Sequence, residues 1–251
     1  MFKASAIEFR YRFALHTILY ILGFIAPWNY FLHLDPTGPN AHLWGVLAVQ
    51  FSRLGLGSIA MAFNVLLAIG MTTALLGAYL RTWGGAYLGA NVVQSSTMHT
   101  AQSAATMGML QDGPFRYMRN PLYLGTFLHT LALALLMPVS GAVFTIIAIG
   151  ALQIRLILAE ETFLGAKLGA QYAAYCALVP RIVPSLRARV ASAGLKPRWG
   201  QAVLGEIYMW GVALAFAAVG WQYDAGLLTK CVVVAFGVSL VARALAPRAA
   251  A

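Results

Sequence analysis

Asp112-Gly113-Pro114-Phe115-Arg116-Tyr117-Met118-Arg119-Asn120-Pro121-Leu122-Tyr123-Leu124-Gly125 is the stretch on which the reading of this 251-residue chain turns. A polar, Ser/Thr/Gln-rich run precedes it. An apolar hairpin follows it and ends in the adjacent carboxylates Glu160 and Glu161. About forty residues separate Pro121 from Glu160, enough for two membrane-length helices of about twenty each. Two equal helices return the chain to the membrane face it left. The spacing therefore predicts that Arg116, Arg119, Asn120 and Tyr123 lie at the same depth as Glu160 and Glu161. Adjacent helical residues point about 100° apart, so only one of the two glutamates can face Arg119.

The rest of the composition agrees with a membrane. The chain is 61% hydrophobic and 10% charged, with mean hydropathy +0.75; soluble domains carry about 25% charged residues. An all-α, polytopic membrane protein follows, with six spans read at about 13–34, 57–80, 121–138, 141–160, 201–222 and 226–246. Pro27 is expected to kink the first. Leu43 to Leu54 is apolar but too short to span, and is expected to lie on the surface or re-enter. The net charge of +10 is distributed by topology. With the N-terminus in the cytoplasm, Lys3, Arg10, Arg12, Arg81, Arg116, Arg119, Lys167, Arg181 and the basic run from Arg187 to Arg198 fall inside. Arg53 and Lys230 fall outside, as the positive-inside rule requires. The basic balance thus needs no nucleic acid. No metal-ligand spacing is present, and Cys176 and Cys231 fall near opposite faces, where no disulfide between them is expected.

The motif GPFRYMRNPLYLG, then Glu160-Glu161, then Tyr172, Tyr175 and Val179-Pro180-Arg181, resembles the isoprenylcysteine carboxyl methyltransferase and phospholipid methyltransferase superfamily of integral membrane enzymes. The resemblance runs from about Leu76 to Arg187. It implies S-adenosylmethionine as cofactor and a lipid or lipidated acceptor. It also implies roles: Arg119 and Glu161 catalytic, and a cofactor pocket from His99, Gly113, Pro114, Arg116, Arg119, Asn120, Pro121, Tyr123, Glu160, Glu161, Tyr172 and Tyr175. Thr126, His129 and Arg181 are the substrate-binding residues of this reading. One position departs from the family pattern. Asn120 stands where the family often has His, so hydrogen bonding survives there and proton exchange does not.

The residue types suit that cofactor. Its ammonium or ribose needs a carboxylate, its own carboxylate needs cationic or amide donors, and its adenine needs an apolar slot. Whether the acceptor is a prenylcysteine carboxylate, a phospholipid amine or a smaller amphiphilic thiol or amine stays open. So do two other classes: a membrane reductase using a nicotinamide cofactor on a sterol or polyprenol, and a non-enzymatic membrane protein. His129 and Gln153 fall at similar depth in the hairpin, either bonded to each other or lining a substrate tunnel. The domain reading is 1–80 for N-terminal membrane helices, 81–200 for the methyltransferase core, and 201–251 for a C-terminal membrane hairpin.

The expected setting is a prokaryotic inner membrane with both termini cytoplasmic. Single-cysteine variants at Ser5 and Ala250 should be labelled by an impermeant maleimide in inside-out vesicles and protected in right-side-out ones. Labelling of either from the outer face overturns this topology.

Overall fold

The computed structural model describes residues 3–35, 41–88 and 111–245. Those residues are mainly helical, and their only strand-like pairing is an isolated antiparallel bridge between His42 and Pro138. In chain order the helices are α1 (Ala6–Arg10), α2 (Arg12–Ile25), α3 (Asn29–Leu32), α4 (Leu43–Arg53), α5 (Ile59–Leu88), α6 (Pro121–Ala134), α7 (Val139–Leu168), α8 (Ala170–Leu178), α9 (Trp199–Gly205), α10 (Ile207–Val219) and α11 (Ala225–Leu245). The all-α class read from the sequence is the observed one, with several helices long and apolar enough to cross a membrane.

The six spans are not all seen among the described residues. Among the described residues four stretches are long and apolar enough to cross a membrane: Arg12–Leu32, Ile59–Leu88, Val139–Leu168 and Ala225–Ala242. A fifth arises if Trp199–Gly205 and Ile207–Gln222, bent by 70°, are taken as one. The helix expected over 121–138 has 14 residues, about 21 Å at 1.5 Å per residue, against a hydrocarbon core of about 30 Å. Its end tightens into i→i+3 bonds, with Leu136 N donating to Leu133 O at 2.9 Å and Met137 N to Ala134 O at 3.1 Å. Pro138, which has no N–H, then closes the turn. The returning helix makes up the length: α7 runs 30 residues and passes Glu160 by two further turns.

Two other segments depart in detail. The first span is interrupted at Pro27 and still runs as one stretch, Arg12–Leu32. Pro27 disfavours helical geometry in the residue before it, and Ala26 adopts φ +43° before the chain turns helical again at Asn29. Leu43–Arg53 is an 11-residue helix that buries Trp44 and Ala48.

The chain divides into two compact units. One comprises residues 1–18, 79–127 and 148–205 and carries the motif. Its N-terminal helix is tied to α7 by Arg155, which donates to both oxygens of Glu8 at 2.8 and 3.1 Å. That pairing, with the Ser5 capping box, takes the Glu8 carboxyl down to about 2. The other unit comprises 19–78, 128–147 and 206–251 and is the more apolar, with a core built on Trp44, Leu67, Leu133, Leu136, Met137, Phe216 and Leu228. Here α2 and α7 touch backbone to backbone. A Cβ on Gly141 would lie 2.0 Å from Gly23 O. Small residues permit such approach where water supplies no driving force between helices.

Beside that contact, Asp35 accepts from Ser140 N at 2.7 Å and from Ser140 Oγ at 2.8 Å. Asn29 also donates to it, and Trp28 Nε1 reaches Ser140 Oγ at 2.9 Å. The start of α7 thus receives its acceptor from a distant segment, which satisfies helix N–H groups that would otherwise be orphaned.

Gly141→Ala should lower stability by about 1–3 kcal/mol, since the clash is with backbone and no rotamer relieves it. Gly45→Ala, where a Cβ meets nothing within 4 Å, should stabilise α4 by roughly 0.5–1 kcal/mol. Thermal unfolding of the two variants in one detergent checks the pair. Equal melting temperatures would show that the Gly23–Gly141 approach does not limit packing.

Candidate functional site

The motif loop begins with a position only glycine fills. Gly113 has φ +56°, and a Cβ there would lie 2.3 Å from the Tyr87 ring. Pro114 follows in the first turn of a short 3₁₀ helix, Gly113–Arg116, where its missing N–H costs nothing. Phe115 and Met118 are buried and anchor the loop, and the Tyr117 ring packs 5.9 Å from Trp83. Arg119 N donates to Pro180 O at 2.9 Å. Pro121 then starts α6.

Glu161 is the centre of the cluster. Its Oε1 accepts from Arg119 at 3.1 Å and from Asn120 Nδ2 at 3.1 Å. Its Oε2 accepts from Arg181 Nε at 2.9 Å, and Arg181 NH2 lies at the same distance. The Asn120 amide also donates to Arg181 O at 3.0 Å. The Glu161 side chain is only 11% exposed, so this ionised group is held by charge-assisted bonds on both oxygens. The bond from Glu161 in turn holds the Arg181 guanidinium in its charged form, above its ordinary pKa. Arg119 contributes one nitrogen to Glu161 and to Cys176 Sγ, at 3.2 Å. Its Nε is buried and has no hydrogen-bond partner among the described residues.

Glu160 points elsewhere, as the helical angle demands. Tyr123 donates its hydroxyl to Glu160 Oε2 at 2.9 Å. Arg12 acts electrostatically on both members of this pair, and Arg81 on Tyr123. Arg81 also donates to Thr126 Oγ1 at 2.9 Å, and Thr126 donates to Leu122 O.

The segment after α7 closes over the loop. Tyr172, Tyr175 and Val179 form a small buried cluster, with the two phenol rings 6.0 Å apart. Tyr175 donates to Phe115 O at 2.8 Å. Burial raises both phenol pKa values well above the ordinary value, Cys176 adding to the effect, so both rings are neutral donors near pH 7. Residues 185–198 then run as an extended strap. Ser185 N donates to Tyr117 O and Arg189 N to Arg116 O, at 2.9 and 2.8 Å. Arg116 Nε donates to Val190 O at 3.0 Å. Asp112, 1% exposed, binds the far end, accepting from Ser192 Oγ, from Ala193 N at 3.0 Å and from Leu195 N at 3.2 Å.

The structure thus brings Arg119, Asn120, Glu161 and Arg181 into one network and Tyr123 with Glu160 into another. Tyr172 and Tyr175 lie in the cap. Arg116 points its guanidinium to the strap, not to a carboxylate. His99 lies outside the described residues. His129 and Gln153 fall in different units; in its own unit the buried His129 ring stands edge-on to Tyr208, 5.3 Å between centroids. Sequence reasoning missed Arg12, Arg81 and Cys176, which carry no motif, and it gave Asp112 no task although it quoted the residue.

Residues 65–171 match the family model described as phospholipid methyltransferase. That match agrees with the resemblance of the motif to the isoprenylcysteine and phospholipid methyltransferase superfamily and supports a membrane methyltransferase with a lipid-type substrate. The matched segment contains the motif loop, Arg119, Asn120, Tyr123 and both glutamates, and stops just before Tyr172. No curated protein and no solved structure matches the chain.

Asp112 makes the strap sensitive to acid. Burial opposes its ionisation, but Ser192 and the N–H groups of Leu195, Gly194 and Ala193 outweigh that and hold its pKa below the ordinary value. The stabilisation is therefore present above the unfolded pKa and is lost as pH falls through the lower folded one, below about pH 4. Asp112→Ala should cost about 1–3 kcal/mol at pH 7 and raise amide exchange across 185–198. The difference in melting temperature from the parent should narrow under acid. Unchanged exchange in that segment would show that Asp112 does not hold it.

Proposed function

We propose that this protein transfers a methyl group from S-adenosylmethionine to a lipid-like amphiphile at the Arg119–Glu161 cluster, on the cytoplasmic edge of the membrane. The observation that carries the proposal is the state of Arg119. One guanidinium nitrogen is engaged by Glu161, while Nε is a buried donor with no partner among the described residues. A buried unpaired donor costs about 1–3 kcal/mol, and a bound carboxylate removes that cost. The residue set fits the cofactor in its other parts as well. Glu160 and Glu161 suit the ammonium or ribose, and the neutral Tyr172 and Tyr175 offer aromatic surface to adenine, while Asn120 spends both amide hydrogens on Glu161 and Arg181 O.

In this reading Glu161 is a positioning anchor more than a base, because both oxygens already accept bonds from Arg119, Asn120 and Arg181. Asn120 orients the same carboxylate without exchanging protons. Glu160, with Tyr123 on one oxygen, is the group to receive a proton from an amine acceptor. A carboxylate acceptor needs no base, and Glu160 then only fixes the phenol. When bound, S-adenosylmethionine supplies a sulfonium-activated methyl group. The protein's task is alignment and exclusion of water, for which residues 172–184 are the cover. Residues 81–200 carry the chemistry. The family match favours the phospholipid amine among the acceptors, and Thr126 on α6 is assigned to the acceptor side.

Isothermal titration of S-adenosylmethionine in detergent tests the site. Glu161→Gln and Arg119→Ala should each weaken binding by about 1–3 kcal/mol, roughly ten- to a hundredfold. A tritiated-methyl assay on one headgroup with a series of chain lengths tests the acceptor. Long chains should turn over better than soluble analogues, and Thr126→Trp should block turnover while cofactor affinity holds. Unchanged cofactor affinity in both charge variants removes the site. Equal turnover of short and long acceptors removes entry from the bilayer.

A further inference from the structure

The more apolar unit contains a cavity of about 590 Å³, within the range of small-molecule sites. It shares no residue with the Glu161 cluster. Its walls come from α4, Phe63 on α5, and the turn before α11. Three rings line it. Trp44 stands edge-on to Phe63 at 5.6 Å and to Tyr223 at 6.2 Å, and Phe63 and Tyr223 lie 5.4 Å apart. The rings are fixed: Trp44 Nε1 donates to Phe63 O, and Tyr223 donates its hydroxyl to Asn64 at 2.7 Å. Tyr223 itself sits in the left-handed region at φ +54°, the conformation that turns the chain so that Asp224 caps α11 through Leu227 N at 2.9 Å.

Two opposite charges line the same cavity, Arg53 and Asp224. Both are exposed, and neither forms an ion pair among the described residues. Apolar and aromatic surface surrounds them. A ligand that carries both charges and an apolar tail satisfies all three features. Aromatic faces next to a carboxylate favour an alkylammonium, and an arginine favours phosphate. Solvated surface charges need no aromatic cavity, and an anionic amphiphile alone would have to meet Asp224.

We propose that this cavity holds a zwitterionic membrane phospholipid, its phosphate on Arg53, its ammonium on Asp224 and the surrounding rings, and its chains along the apolar wall. The lining shares no residue with the methyl-transfer cluster, so the inference does not rest on the function proposed above.

Native mass spectrometry in detergent, at about pH 8, tests it with phosphatidylcholine, which has no N–H left to methylate. At that pH His42, which also lines the cavity and whose pKa burial lowers, with Asp224 acting in the opposite direction, is neutral. Three variants report. Arg53→Gln removes an unpaired charge. Asp224→Asn removes charge and keeps a good helix cap. Gly45→Leu grows into open space, since a Cβ at Gly45 meets nothing within 4 Å. Each should weaken phosphatidylcholine binding by about tenfold, while S-adenosylmethionine affinity is unchanged. Phosphatidylglycerol, without the ammonium, should bind the parent protein more weakly and be indifferent or favourable to Asp224→Asn. Phosphatidylcholine affinity unchanged in both charge variants overturns the proposal, as does equal binding of phosphatidylglycerol. Equally tight binding of soluble glycerophosphocholine overturns the assignment to a membrane lipid.

Discussion

A carboxylate 11% exposed needs hydrogen-bond donors on both oxygens. Glu161 meets that demand with three donors from two separate places in the chain: Arg119 and Asn120 ahead of α6, and Arg181 beyond α8. Each donor drags its own segment into position. Arg119 fixes the end of the motif loop, with its N–H on Pro180 O. Asn120 binds Glu161 and the Arg181 carbonyl with one amide nitrogen. The loop, the hairpin and the cap therefore meet at a single side chain, and loss of any one donor leaves a buried charge under-satisfied.

The strap extends the same logic outward. It has no regular secondary structure, so its backbone groups need partners of another kind. They find them on the motif loop: Tyr117 O, Arg116 O and the Asp112 carboxylate. Asp112-Gly113-Pro114 thus does two tasks in three residues. The aspartate holds the strap, and the glycine and proline set the turn that aims Arg119 inward. In the other unit, backbone contact at Gly23 and Gly141 adds to side-chain burial in bringing helices together, which suits a lipid-solvated protein.

Hydropathy and spacing alone determined the class, the membrane setting and the pairing of the motif with the two glutamates. A forty-residue hairpin returns to its starting face whatever its exact path, and a helix turns 100° per residue, so one glutamate for Arg119 and one for another partner was legible from the letters. Tertiary structure decided what periodicity does not encode. It chose Glu161 for Arg119 and Glu160 for Tyr123. It shortened α6 to 14 residues and lengthened α7 to 30, because i→i+3 bonds and Pro138 end one helix early while nothing stops the other at its charges. It turned Arg116 to the strap, and it brought Arg12 and Arg81 toward the Glu160–Tyr123 pair. Those last contacts join residues far apart in sequence through side-chain reach and packing, and no pattern within a single segment records them.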